Sequence, residues 1–141
     1  MAEHTFHVDV VTPERTVYSG LVTYVNVKAW DGYIGILANH APLLEQLGAG
    51  ELRLNEPNGH KVVFAIGGGF MEVSKERTVV LADSVERPEE IDVERARQSR
   101  ERALARKSGR LETEDRDVAR AEMALQRANN RLRMAGVPLD V

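Results

Sequence analysis

Between Phe6 and Ala82 the chain alternates apolar and polar residues with a period of two, the pattern of half-buried strands. Phe6-His7-Val8-Asp9-Val10-Val11 is one such strand, stopped by Thr12-Pro13. Residues 21–28 alternate next, with Leu21, Thr23, Val25 and Val27 expected on one face. Leu52-Arg53-Leu54-Asn55 follows, turned by Pro57-Asn58-Gly59, and residues 61–66, 70–73 and 78–82 read as further short strands. Many short strands with Gly, Pro, Asn and Asp between them predict an antiparallel β-sandwich or flattened barrel. No helix-length periodic segment separates these strands, which argues against a parallel sheet.

Around Arg87-Pro88 the period changes. No proline occurs from Ile91 to Ala135, and Ala, Arg, Glu, Leu and Gln dominate, all good helix formers. Asp92 is a candidate N-cap with Glu94 in the first turn, Ser108-Gly109 breaks the run, and Gly136-Val137-Pro138 ends it. The pattern predicts two helices, at about 92–107 and 115–135, joined as an antiparallel hairpin. The predicted class is α+β, with a β-sandwich over residues 1–86 and a helical hairpin over 87–141. The apolar stripe of the hairpin is thin: Ile91, Ala96, Ala103 and Leu104 on the first helix, and Val118, Ala121, Leu125, Ala128, Leu132 and Ala135 on the second. Alanine buries little area, so such a pair is weakly held and suited to switching.

Charge sharpens the division. The net charge is −3; residues 1–86 hold 6 Lys+Arg and 11 Asp+Glu, and residues 87–141 hold 13 and 11. The absence of cysteine excludes a disulfide framework and a thiolate nucleophile. The N-terminus shows no secretory signal, and no apolar run approaches the ~18–20 residues of a membrane span.

Arginine spacing carries the candidate chemistry. Arg95 and Arg102 are seven residues apart, and Arg120, Arg127 and Arg131 are seven and four apart, so each set shares a helical face. Guanidinium groups converging from two antiparallel helices bind phosphate well. Spacing alone favours a solvated face with Glu–Arg pairs, because Arg-rich helices are common and Arg97, Arg100, Arg106 and Arg133 show that arginine is not confined to one face. Nucleic-acid binding is disfavoured by the interspersed acids and the lack of aromatic residues in the hairpin. Gly67-Gly68-Gly69 lacks the Lys-Ser/Thr of a phosphate loop and reads as a close approach of backbones. His40 has no partner at metal-ligand spacing and reads as a loop-organising or ring-facing residue; His4, His7 and His60 are scattered. Trp30-Asp31-Gly32 reads as a turn.

The chain resembles the epsilon subunits of bacterial F-type ATP synthases. Four stretches carry the resemblance: Val10-Val11-Thr12-Pro13-Glu14-Arg15-Thr16-Val17-Tyr18; Gly32-Tyr33-Ile34-Gly35-Ile36-Leu37-Ala38-Asn39-His40-Ala41-Pro42-Leu43; Gly67-Gly68-Gly69-Phe70-Met71-Glu72-Val73 followed by Val79-Val80-Leu81-Ala82-Asp83; and Ile91-Asp92-Val93-Glu94-Arg95-Ala96, which matches the Ile/Leu-Asp-x-x-Arg-Ala nucleotide motif of some members. The family often has an acidic residue at the position of Tyr33, and Pro-Gly at Ala38-Asn39.

The resemblance implies a non-catalytic central-stalk subunit. Its sandwich would dock on the gamma subunit and the c-ring, with Asp31, Tyr33 and His40 in the rotor-interface loop. Its hairpin would fold back, or extend along gamma into the alpha/beta catalytic head and block ATP hydrolysis. No obligate cofactor or metal is implied. ATP, with or without magnesium, would be a regulatory ligand held by Glu86, Ile91, Asp92, Arg95, Ala96, Arg102, Arg120, Arg127 and Arg131. Glu86 and Asp92 would recognise adenine or ribose, Ile91 and Ala96 would touch the base, and the arginines would hold phosphates. Membrane association would run only through the complex, on the cytoplasmic face of the bacterial plasma membrane.

Overall fold

The computed structural model of the chain describes residues 4–108 and 115–139. The chain divides into two compact units, Met1–Glu86 and Arg87–Val141. The first is all strand: β1 (Phe6–Val11), β2 (Thr16–Val22), β3 (Tyr24–Ala29), β4 (Gly32–Leu37), β5 (Leu43–Asn55), β6 (Lys61–Val73), β7 (Arg77–Ala82) and β8 (Val85–Glu86). They form one sheet in the order β2-β1-β7-β6-β5-β3-β4, with β8 paired to β6.

Two strands make this sheet a sandwich. β5 and β6 are 13 residues long and pair along nearly their whole length. Residues 69–73 of β6 also pair with β7, while residues 61–66 lie beside the half of β5 that pairs with β3. Val8, Val10 and Val80 from one wing share a single core with Val25, Val27 and Leu54 from the other. The sheet therefore folds over at the middle of β5 and β6, as in sandwiches whose strands serve both layers. Glycine permits the fold at that point. Gly69 sits at φ +139, and a Cβ there would collide with the Leu81 carbonyl oxygen and stand 2.8 Å from the Ala82 Cα. The triple glycine is thus the backbone approach expected of it, but it lies inside a continuous strand, where two short strands were expected.

Other expectations shift in the same unit. Residues 21–28 do not form one strand: β2 ends at Val22, Thr23 bends, and β3 begins at Tyr24. The bend moves the inward phase by one residue, so Val22 is buried and Leu21 exposed, while Val25 and Val27 stay inside. β4 and the first half of β5 were missed, because Gly32, Gly35, Gly48 and Gly50 blur the alternation. The pairing is antiparallel except between β1 and β7, which run parallel.

That parallel pairing, together with the antiparallel pairing of β1 to β2, assembles a polar cluster which sequence separation hides. The Ser19 hydroxyl donates to Asp9 Oδ1 at 2.6 Å, His7 Nε2 lies 2.9 Å from the same oxygen, and Arg77 donates to Oδ2 at 3.1 Å. The Ser19 and His7 hydrogen bonds, aided by the nearby charges, hold the Asp9 carboxyl below its ordinary range despite some burial. A depressed native pKa stabilises the fold above the unfolded value of about 3.9, and that contribution is lost as pH falls through the native value. Urea midpoints compared at about pH 5 and about pH 3 should therefore fall less for Asp9→Asn than for the parent chain.

The second unit holds a 3-10 turn (Pro88–Glu90), α1 (Val93–Lys107) and α2 (Asp115–Met134). Asp92 caps α1, its side chain accepting from the Arg95 N–H at 3.1 Å. Ser108 ends α1; Gly109, read as part of the break, lies outside the described residues. Gly136, at φ +83, ends α2: its N–H donates to the Arg133 carbonyl and that of Val137 to the Leu132 carbonyl, a Schellman closure. Ala96 and Ala103 are buried on α1, and Ala121, Leu125, Ala128 and Leu132 on α2. Leu104 and Val118, counted in the apolar stripe from spacing, are exposed at 37% each, because both lie on the flank of their helix.

Candidate functional site

Two polar bonds fix how the helices of the hairpin face each other. Arg100 Nε donates to Asn129 Oδ1 at 2.9 Å, and Lys107 Nζ pairs with Glu122 Oε2 at 2.8 Å. The partners advance by seven residues on α1 and retreat by seven on α2, so the helices are antiparallel and in strict register. In this register Arg102 is level with Arg127, and Arg95 lies within a turn of Arg131. Helical rotation of 100° per residue then places Arg95, Arg102, Arg120, Arg127 and Arg131 on one side of the seam. Arg100, Lys107, Asn129 and Glu122 bridge the other side. The two arginine rows converge on one side rather than facing apart.

The state of each side chain suits anion capture. Arg95, Arg102 and Arg120 are exposed, and Arg127 and Arg131 are half-buried. Arg102 is steadied by a bond to Ser99 Oγ at 3.2 Å, on the side toward Arg95. Arg95 and Arg127 hold no side-chain hydrogen bond or ion pair among the described residues. Asp92 is exposed, but its Oδ1 is occupied as the N-cap. Ile91 and Ala96 are buried, so they are covered as the chain stands. Glu86 is the last residue of the sheet unit, paired in β8 with Ala65 of β6, and is not without a partner.

The residues of the expected rotor-interface loop lie along β4, the terminal strand of the sheet, and its flanks. Asp31 is in the β3–β4 turn and exposed, next to an exposed Trp30. Tyr33 is in β4 itself; its hydroxyl accepts the Glu51 N–H at 3.3 Å, and Lys28 Nζ stands 5.8 Å from its ring centroid. His40 lies in the β4–β5 connection, where Nδ1 is 2.6 Å from the Ala41 carbonyl oxygen and Asn39 adopts φ 65. His40 thus organises its own loop. Sequence reasoning missed the exposed Leu37 on the same strand, because the alternation of β4 was not read.

Comparison with known proteins covers both units. Residues 5–88 match the family described as ATP synthase, Delta/Epsilon chain, beta-sandwich domain, and residues 89–136 match its long alpha-helix domain. The chain belongs to the ATP synthase delta/epsilon family. It is 46% identical over 132 residues to the ATP synthase epsilon chain of Halalkalibacterium halodurans, covering 94% of this chain and 98% of that one. It is 45% identical over 139 residues to the epsilon chain of Syntrophomonas wolfei, covering 99% and 100%. Among solved structures it resembles a chain of the Euglena gracilis mitochondrial ATP synthase, from its OSCP/F1/c-ring assembly, with a TM-score of 0.75 at 22% identity over 89% of this chain and 78% of that chain. A chain of the Tetrahymena thermophila mitochondrial ATP synthase central stalk and c-ring gives 0.68 at 12%, over 96% and 99%. At these identities the structural likeness shows the fold, and the sequence relatives carry the family. An epsilon chain is a central-stalk subunit of the ATP synthase and not one of its catalytic subunits. No helix among the described residues is long and apolar enough to cross a membrane.

Proposed function

We propose that this epsilon chain regulates its ATP synthase through the hairpin, which binds ATP in its closed state and inhibits hydrolysis when open. The observation that carries this reading is the common side of the two arginine rows, with Arg102 level with Arg127. Arginines gathered from both helices join them only while the helices are paired, so a polyphosphate that bridges the rows binds the closed form better. A ligand that prefers one state shifts the population toward it. The alanine seam of Ala96, Ala103, Ala121 and Ala128 keeps the intrinsic preference for closure small. In the open state the hairpin extends along gamma into the alpha/beta head and blocks turnover. Because Ile91 and Ala96 are covered and Asp92 caps α1, the phosphates make the principal contacts, and the base reaches Ile91 and Ala96 only after their cover moves. The sandwich docks on gamma and the c-ring, with Asp31, Tyr33 and His40 along the β4 edge, and holds the chain peripherally on the cytoplasmic face of the membrane.

Calorimetric titration of the isolated chain with ATP, with and without magnesium and with ADP as control, tests the reading. One-to-one binding that prefers ATP and weakens at least tenfold in Arg95→Ala is expected. Absence of binding at millimolar ATP, or an unchanged affinity in Arg95→Ala, removes the nucleotide from the proposal.

A further inference from the structure

We propose that residues 136–139 form a strap that clasps the free end of the hairpin, and that its release is the first step of hairpin opening. A helical hairpin is tied covalently at one end only, here between Ser108 and Asp115. The other end, where α1 begins and α2 finishes, has no such covalent link between the helices. There the Schellman closure at Gly136 turns the chain back instead of letting it run on, and Pro138, which has no N–H, keeps it from resuming a helix. Val137, Pro138 and Leu139 then share a cavity of about 210 Å³ with Arg97, Arg100 and Glu101 of α1 and Leu132 of α2. A segment that follows α2 in sequence thus lies beside α1, across this cavity.

Composition fits this role. The seam between the helices is mostly alanine, whereas the strap offers Val137 and Leu139, both half-buried. Larger apolar groups at the open end add contact to a seam made mostly of alanine. The strap sits beside Arg100, whose bond to Asn129 lies nearer the free end than the Lys107–Glu122 pair, so both ties belong to one fastening. It lies on the side of the seam away from the Arg95 and Arg102 row, so it acts on closure without touching the proposed phosphate contacts.

The test needs no nucleotide and therefore stands apart from the ATP reading. The chain has no cysteine, so Gln98→Cys with Gln126→Cys, both exposed, gives a clean spin-label pair across the seam. In the full chain, V137S/L139S should raise the population of wide label separations by roughly fivefold, the factor that one kcal/mol produces. Gly136→Ala removes no apolar group and meets no atom within 4 Å, yet strains the φ +83 turn; it should shift the distribution in the same direction by less. Distance distributions unchanged in both variants overturn the proposal. Widening accompanied by an equal loss of helix content by circular dichroism also overturns it, since the segment would then only terminate α2.

Discussion

Gly69→Val should lower the unfolding free energy by about 3 kcal/mol or more, seen as a large fall in urea midpoint. Two costs combine. The backbone at φ +139 lies where an L side chain is strained, and the added Cβ meets the Leu81 carbonyl and the Ala82 Cα, which are backbone atoms of the paired strand and cannot rotate away. Gly69 pairs with Ala82 on one side and Leu47 on the other, so moving it disturbs β7 and β5 together. Gly59→Ala separates the two costs. Gly59 also has a left-handed φ, of +87, but nothing lies within 4 Å of its Cβ position. That variant should lose only about 1 kcal/mol. Equal losses at the two positions would mean that the fold at the middle of β6 is not sterically fixed.

Arg102→Glu and Arg127→Glu should each weaken ATP binding about a hundredfold, close to 2.7 kcal/mol. Each would remove the proposed charge-assisted bonds to phosphate and place a carboxylate beside the remaining guanidinium groups. Because the register sets the two residues level on the same side of the seam, their effects should be strongly non-additive in the double variant. Arg133→Glu makes the same charge change at an exposed position on the other flank of α2 and should alter affinity by less than about threefold. If all three variants weakened binding alike, the hairpin would attract the nucleotide by net charge and hold no site.

How much of this was legible beforehand varies with the range of the signal. The cap at Asp92, the stop at Gly136-Val137-Pro138 and the strand Phe6–Val11 rest on neighbours within a few residues, and all three appear as the sequence suggests. Among the candidate site residues, the helical faces of Arg95, Arg102, Arg120, Arg127 and Arg131 follow from spacing. Whether the rows from the two helices meet does not, because spacing within one helix says nothing of the rotation of its partner.

The sequence by itself determined the two-part organisation, the positions of both helices, the thin alanine seam and the family. These are set by periodicity, local propensity and motif order. Only the tertiary structure decided the rest. It carried β6 unbroken through Gly67-Gly68-Gly69, broke residues 21–28 at Thr23, and paired β1 parallel to β7. It brought Asp9 to Ser19 and Arg77, and it set Arg102 level with Arg127. Each of these depends on closing the chain between distant segments, and a periodic pattern carries no information about which distant segment will be its partner.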